Sequence, residues 1–105
     1  MYPPSPVQVK VLPITDDQAG YAKSVVDELK MQDIRAVLDD RSEKIGAKIR
    51  DAELMKIPYM FVIGGREAEA KSVSIRRHGA GDVGVKPVGE AVDILKKDIA
   101  GKGLQ

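Results

Sequence analysis

Arg41, Lys44 and Lys48 cluster around the start of one helical pattern, and Arg76 ends an alternating, strand-like run. Lys44 and Lys48 are four apart, so on a helix they share a face and extend in the same direction. The free N–H groups of a helix N-terminus add partial positive charge beside them. Together with Arg41, which precedes the helix, this set can hold a phosphate or the edge of a base. In Ser72-Val73-Ser74-Ile75-Arg76 the guanidinium shares its strand face with two serines. A planar group rising from small neighbours can meet a base edge or stack on it. Glu67, just after Gly64-Gly65, brings a carboxylate that can accept from the amino and imino groups of guanine. Each group also has a plainer reading. Glu43 and Asp51 can pair with nearby cations at the surface for roughly 0–1 kcal/mol. Arg76 can be an edge-strand charge that blocks aggregation, and Glu67 a solvated loop charge.

Other chemistries are excluded or weak. There is no Cys, and His78 is the sole His. Thiolate metal sites, His-rich zinc clusters and Ser-His-Asp triads therefore have no material to be built from. Gly79-Ala80-Gly81-Asp82-Val83-Gly84 satisfies G-x-G-x-x-G. It lacks the helix start and following parallel strand that a dinucleotide fingerprint needs, so it reads as a loop between strands. Asp16-Asp17 and Asp39-Asp40 follow the first two strand patterns, where a phosphoacceptor receiver domain keeps its Mg2+ carboxylates. Such a site wants a third carboxylate after the next strand, and the chain has Gly64-Gly65 there. With three Tyr, one Phe and no Trp, a stacking platform for arbitrary single strands is not visible. The start, Met1-Tyr2-Pro3-Pro4-Ser5-Pro6, has neither the basic end nor the apolar core of a signal peptide. The expectation is a cytoplasmic protein with no membrane partner.

The elements that must position these groups can be read from period and punctuation. At 105 residues the chain is one domain. Residues 1–6 read as a linker remnant, 7–100 as the domain and 101–105 as a tail. Val7-Gln8-Val9-Lys10-Val11-Leu12 alternates as a strand. Thr15 and Gln18 fit a capping box ahead of a helix with Ala22, Val25, Val26 and Leu29 on its inner face. Ile34 to Leu38 is a second strand. Asp40 or Ser42 can cap a second helix with Ile45, Ile49 and Ala52 inside. Tyr59 to Ile63 is a continuous apolar run, as for a strand covered on both faces. Gly64-Gly65 turns the chain toward a strand at Ser72 to Arg76, and a short strand is expected at Val83 to Lys86. Pro87 opens a last helix carrying Val88, Ala91, Val92, Leu95 and Ile99 on one side, with Gly101 and Gly103 ending it. The order predicts an α/β fold of three α/β/α layers around a mixed, mostly parallel sheet of about five strands. The join from third to fourth strand is too short for a crossover, so that pair is expected antiparallel.

Net charge is +1, but residues 41–78 hold nine basic and five acidic side chains. A positive centre in a near-neutral chain suits local contact with phosphates rather than indiscriminate binding.

Several words of the sequence resemble the C-terminal anticodon-binding domain of class II aminoacyl-tRNA synthetases, in particular that of the threonyl enzymes. They are Pro6-Val7-Gln8-Val9, Ile14-Thr15-Asp16, Glu43-Lys44-Ile45-Gly46, Lys48-Ile49-Arg50-Asp51-Ala52-Glu53 and Ile57-Pro58-Tyr59-Met60. Gly64 with Glu67, Val73-Ser74-Ile75-Arg76-Arg77 and Asp82-Val83-Gly84 continue the match. The sequence departs from the pattern at Pro4-Ser5-Pro6, where a Trp-Leu-Ala-Pro-like lead-in is usual, at Ser42, where Asn is frequent, and between His78 and Gly84.

The resemblance implies recognition of the anticodon stem-loop of threonine tRNA at its second and third anticodon bases, G and U. Carried over by position, Ser42, Lys44, Glu67 and Arg76 become the base-contacting candidates, and Arg41 and Lys48 candidates for the RNA backbone. It implies no catalytic residue, metal or cofactor in this domain. ATP and zinc belong to the catalytic remainder of a synthetase, which is the implied partner, and the isolated domain is expected to be a monomer. Two rivals stand beside it: a free-standing accessory or regulatory module acting through protein contacts, and the phosphoacceptor receiver.

Overall fold

The computed structural model describes residues 7–41, 43–79 and 81–103, the last six as backbone alone. The described elements are β1 (Val9–Pro13), α1 (Ala19–Met31), β2 (Ala36–Leu38), α2 (Ile45–Leu54), β3 (Tyr59–Ile63), α3 (Gly65–Ala70), β4 (Ser72–Arg77), β5 (Gly81–Pro87) and α4 (Val88–Gly103). A 3-10 turn at Asp16–Gln18 leads into α1. Thr15 begins it as expected: its backbone N–H and its hydroxyl both donate to Gln18 Oε1, at 3.0 and 2.8 Å.

The strands form one sheet in the order β2-β1-β3-β4-β5, the first three parallel and the last two antiparallel. The chain steps from β1 outward to β2, then back past β1 to β3. With right-handed crossovers, that reversal puts the two connecting helices on opposite faces of the sheet. The packing agrees. Ala22, Val25, Val26 and Leu29 of α1 meet Val9, Val11, Phe61, Ile63, Val73 and Ile75 on one face, where Ala91, Val92 and Leu95 of α4 join them. On the other face Ala52 of α2, with Ile45 and Ile49 partly buried, meets Leu12, Met60 and Ile57. The result is the three-layer α/β/α arrangement around a mixed five-stranded sheet.

Four local readings differ from the sequence expectation. The Gly64-Gly65 turn opens a short helix, α3. At six residues it spans only about 9 Å, so it returns the chain beside β3 and leaves β4 antiparallel. Asp40 does not cap α2, and Ser42, the other expected cap, lies outside the described residues; the N-cap position is Lys44, with no side-chain hydrogen bond to the helix. Strand β5 is seven residues rather than four, because β4 pairs along it from end to end, skipping Val83 at a bulge. Its register shifts opposite Ile75 and Arg76, and Gly84 takes φ 123° there, a conformation that suits only glycine. Finally, α4 continues to Gly103, so Gly101 does not end it.

Two helices end in the same motif without its usual residue. At the end of α2, Lys56 N–H donates to Glu53 O and Ile57 N–H to Ala52 O, with Lys56 at φ 59°. At the end of α1, Asp33 and Ile34 repeat the pattern toward Lys30 and Leu29, with Asp33 at φ 62°. These are Schellman closures, in which glycine normally supplies the left-handed residue. A side chain there costs roughly 1–2 kcal/mol, against about 0.5–1 kcal/mol for the extra freedom glycine loses on folding. Lys56→Gly is therefore expected to stabilise the fold by about 0.5–1 kcal/mol. The urea midpoint should rise with no change in slope; an unmoved or lower midpoint refutes the strain.

Candidate nucleic-acid interface

Parallel strands end with backbone carbonyls that the sheet does not fully use. Here α2 supplies the donor. Lys48 is buried, and its ammonium donates to Pro13 O at 3.0 Å and Asp39 O at 3.2 Å. It thus bridges the chain just past β2 to the last residue of β1. The sequence assigned Lys48 to the RNA backbone. The structure turns it inward onto these two carbonyls and ties the helix to the strand ends. A signal for this was present: Ile45, Lys48, Ile49 and Ala52 follow the i, i+3, i+4, i+7 pattern of an inner face.

Asp39 is the second anchor. Its N–H donates to Val11 O at 2.9 Å, and its buried carboxylate receives Nε and Nη2 of Arg41, both at 2.8 Å. Lys10 stands 3.7 Å away. Arg41 Nη2 also donates to Asp51 Oδ2 of α2 at 2.9 Å. The hydrogen bonds from Arg41 hold the Asp39 carboxyl below the usual carboxylate range, against the upward push of burial. In return Asp39 first, then Asp51, raise the Arg41 guanidinium above its ordinary value. Arg41, expected at the RNA backbone, is thus committed to two carboxylates within the domain. Asp39, Asp51 and Lys10 were not read as a unit, because nothing in their spacing reveals that the sheet brings them together.

Lys44 stays exposed at the start of α2. It borders a groove of about 620 Å3 lined also by Ile45, Gly46, Ala47, Arg50 and Asp51. Ser42 lies outside the described residues. Glu67 sits in the first turn of α3, where its Oε1 accepts from Gly64 N–H at 2.8 Å. Gly64 is needed for that approach: a Cβ there would stand 3.0 Å from both Glu67 Oε1 and Ile14 Cδ1. Close by, Tyr21 donates its hydroxyl to Ser72 O at 2.9 Å. Burial, then the Glu67 charge, push the Tyr21 phenol upward.

Arg76 lies on the face of β4 opposite the buried Val73 and Ile75, as its parity predicts. Cross-strand pairing puts Met60, Arg76 and Asp82 in one row and Val62, Ser74 and Val85 in the next. Met60 and Val62 belong to the α2 side, but Ser74 and Arg76 are only half-buried and Val85 is exposed. Nε of Arg76 is buried without a hydrogen-bond partner among the described residues. Arg76 pairs with Met60 near the start of β3, whereas Glu67 caps the helix after its end. The structure therefore spreads these two groups over about 13 Å of strand. Acidic residues do not gather into a metal cluster among the described residues.

A family model described as an anticodon binding domain matches residues 8–98. The chain belongs to the anticodon-binding domain family. Its relatives include the threonine–tRNA ligase of Chloroherpeton thalassium, 57% identical over 95% of this chain, and that of Bacteroides fragilis, 48% identical over 90%. The chain spans only 15% of each. The solved RNA-binding domain of threonyl-tRNA synthetase from Cryptosporidium parvum superposes with TM-score 0.83 at 30% identity, over 89% of this chain and 24% of that one. Prolyl-tRNA synthetase from the same organism gives 0.81 at 27%, over 88% and 20%. Among the described residues of this chain no helix is long and apolar enough to cross a membrane.

Two outcomes test the charged anchors of this domain. Lys48→Met leaves Pro13 O and Asp39 O without their donor and is expected to cost about 2–3 kcal/mol in urea unfolding; a loss within error removes Lys48 as a brace. The Asp39 carboxyl titrates below its reference value of 3.8 when folded. Its stabilisation is therefore complete above that pH and disappears as the pH falls through the lowered folded value. Asp39→Asn should flatten the acid limb of the stability–pH curve below about pH 4, and an unchanged limb refutes the assignment.

Proposed function

We propose that this domain reads the anticodon stem-loop of threonine tRNA, recognising G and U at the second and third anticodon positions. The observation that carries the reading is Arg76: a half-buried guanidinium with an unpartnered Nε, beside Ser74 on the open face of β4. The threonine–tRNA ligase relatives supply the class of RNA. A guanidinium offers a fixed fork of donors to the acceptor edge of a base. Glu67 has one carboxylate oxygen on Gly64, which leaves its second lone-pair-rich oxygen to accept from guanine N–H groups. Lys44, at the mouth of the groove beside α2, meets the RNA backbone or a base edge. Ser42 is a further base contact in this reading. Arg41 and Lys48 act from within, by fixing the segment that leads to Lys44.

The recognition step needs no cofactor. In a full-length ligase, ATP, threonine and zinc chemistry would reside in the remainder of the chain, in the cytoplasm, and this domain would supply the choice of tRNA. A few exposed cations make affinity fall with rising salt.

Titration with the intact stem-loop, and with one altered at those two bases, tests the reading. Preference for the intact loop is expected. Arg76→Ala should cost about 1–3 kcal/mol of binding and relax base choice, and an unchanged preference removes Arg76. Equal binding of both loops by the native chain reduces the surface to a basic patch. No binding at low salt favours an accessory module acting through protein contacts.

A further inference from the structure

We infer that Asp51, Arg41 and Asp39 form a latch that positions Lys44 for base discrimination, Asp51 being a positioning residue rather than an RNA contact. The inference rests on the anticodon reading proposed above. The segment between β2 and α2 leaves the sheet edge with few apolar anchors: Asp40, Arg41, Glu43 and Lys44 are all exposed. What holds it is polar. Arg41 grips the carboxylate of Asp39 behind it and that of Asp51, two turns into α2, ahead of it. Glu43 N–H donates to Arg41 O at 2.8 Å, and Ala47 and Lys48 N–H both donate to Lys44 O. Lys44 therefore stands directly after a guanidinium clamp and on the first turn of the helix that the clamp grips. With no side-chain hydrogen bond from Lys44 capping α2, the clamp ties the exposed part of this segment to the helix, while Lys48 holds only its first residue, Asp39.

The latch has a sign that separates it from simple electrostatics. Asp51 lines the same groove as Lys44 and Arg50. On a surface that attracts phosphates, removing a carboxylate by charge alone should strengthen binding of every RNA. A latch predicts the opposite for the intact anticodon, because the segment carrying Lys44 loses its register.

The test uses the 105-residue chain and the two stem-loops, intact and altered at the second and third anticodon bases. The readout is the ratio of their affinities at several salt concentrations. Asp51→Asn is expected to lower that ratio several-fold while leaving the salt slope unchanged, and Asp51→Glu, which keeps a carboxylate within reach of Arg41, to restore much of it. Arg41→Lys, which keeps the charge and loses the fork, should lower the ratio too, and the losses in the double variant should not add. Asp51 is half-exposed, so its variants test the latch without disturbing the core; a circular dichroism melt confirms the fold. An Asp51→Asn chain with an unchanged ratio, or with stronger binding of both loops, overturns the latch. Additive losses in the double variant overturn it also, since they assign Asp51 and Arg41 to separate RNA contacts. A native chain that does not distinguish the loops overturns the anticodon reading itself, and the latch with it.

Discussion

The ammonium of Lys48, held by the carbonyls of Pro13 and Asp39, fixes how α2 sits on the ends of β1 and β2. Burying such a cation costs several kcal/mol even after relaxation. Two charge-assisted hydrogen bonds return about 1.5–3 kcal/mol each. A Lys48→Met change loses stability through the two carbonyls it leaves dry, whereas the ion's own terms nearly cancel. What the ammonium adds is position. An apolar side chain could fill the space, but it would let α2 slide along the strands, and it would leave two carbonyls dry. The Asp39 carboxylate faces Arg41, and its backbone oxygen faces Lys48. The end of β2 is thereby fixed through both its main chain and its side chain.

This internal use of charge changes the meaning of the basic centre. Residues 41–78 carry a clear excess of cations. Yet Lys48 is inside and Arg41 is doubly paired, while the Arg77 guanidinium lies 5.8 Å from the centre of the Tyr59 ring. Fewer cations are uncommitted than the composition suggests. A surface of that kind attracts polyanions only modestly, and what discrimination it has must come from the placement of a few groups. The open face of β4 and β5 exists for a topological reason: a single helix, α2, covers that side over β1 and β3. The two antiparallel strands lie beyond its reach.

Much of this was legible in the sequence. The inner stripe of α1 and the five residues of β3 stand where their periods placed them, because long apolar patterns leave the chain one way to hide them. The parity of β4 placed Arg76 correctly. The misses have physical causes. The ends of α1 and α2 carry Asp33 and Lys56 in left-handed backbone where a sequence reader looks for glycine. Helix α3 hid behind the Gly64-Gly65 turn signal, although Arg66 to Ala70 are good helix formers. Strand β5 has three glycines' worth of turn chemistry nearby and little propensity of its own; pairing with β4 overrides it. In the site, Lys48 misled because a lysine is presumed to face water. The union of Lys10, Asp39, Arg41 and Asp51 depends on strand order, which no local pattern encodes.

The scarcity of aromatic residues fits a surface that selects by hydrogen bonding rather than by stacking. Stacking tolerates every base, since each has a π-face. A buried donor does not. The Nε of Arg76 is already desolvated before any ligand arrives. In the anticodon reading proposed above, a base that offers an acceptor there would gain a hydrogen bond at little further desolvation cost. A base without an acceptor there would gain nothing, because the donor is dry with or without it, so the difference is the hydrogen bond itself, about 1.5–3 kcal/mol for a charged donor. Discrimination of that kind would come from gripping the right partner rather than from penalising the wrong one. It requires only that the strand hold the guanidinium still, which the pairing of β4 with neighbours on both sides provides.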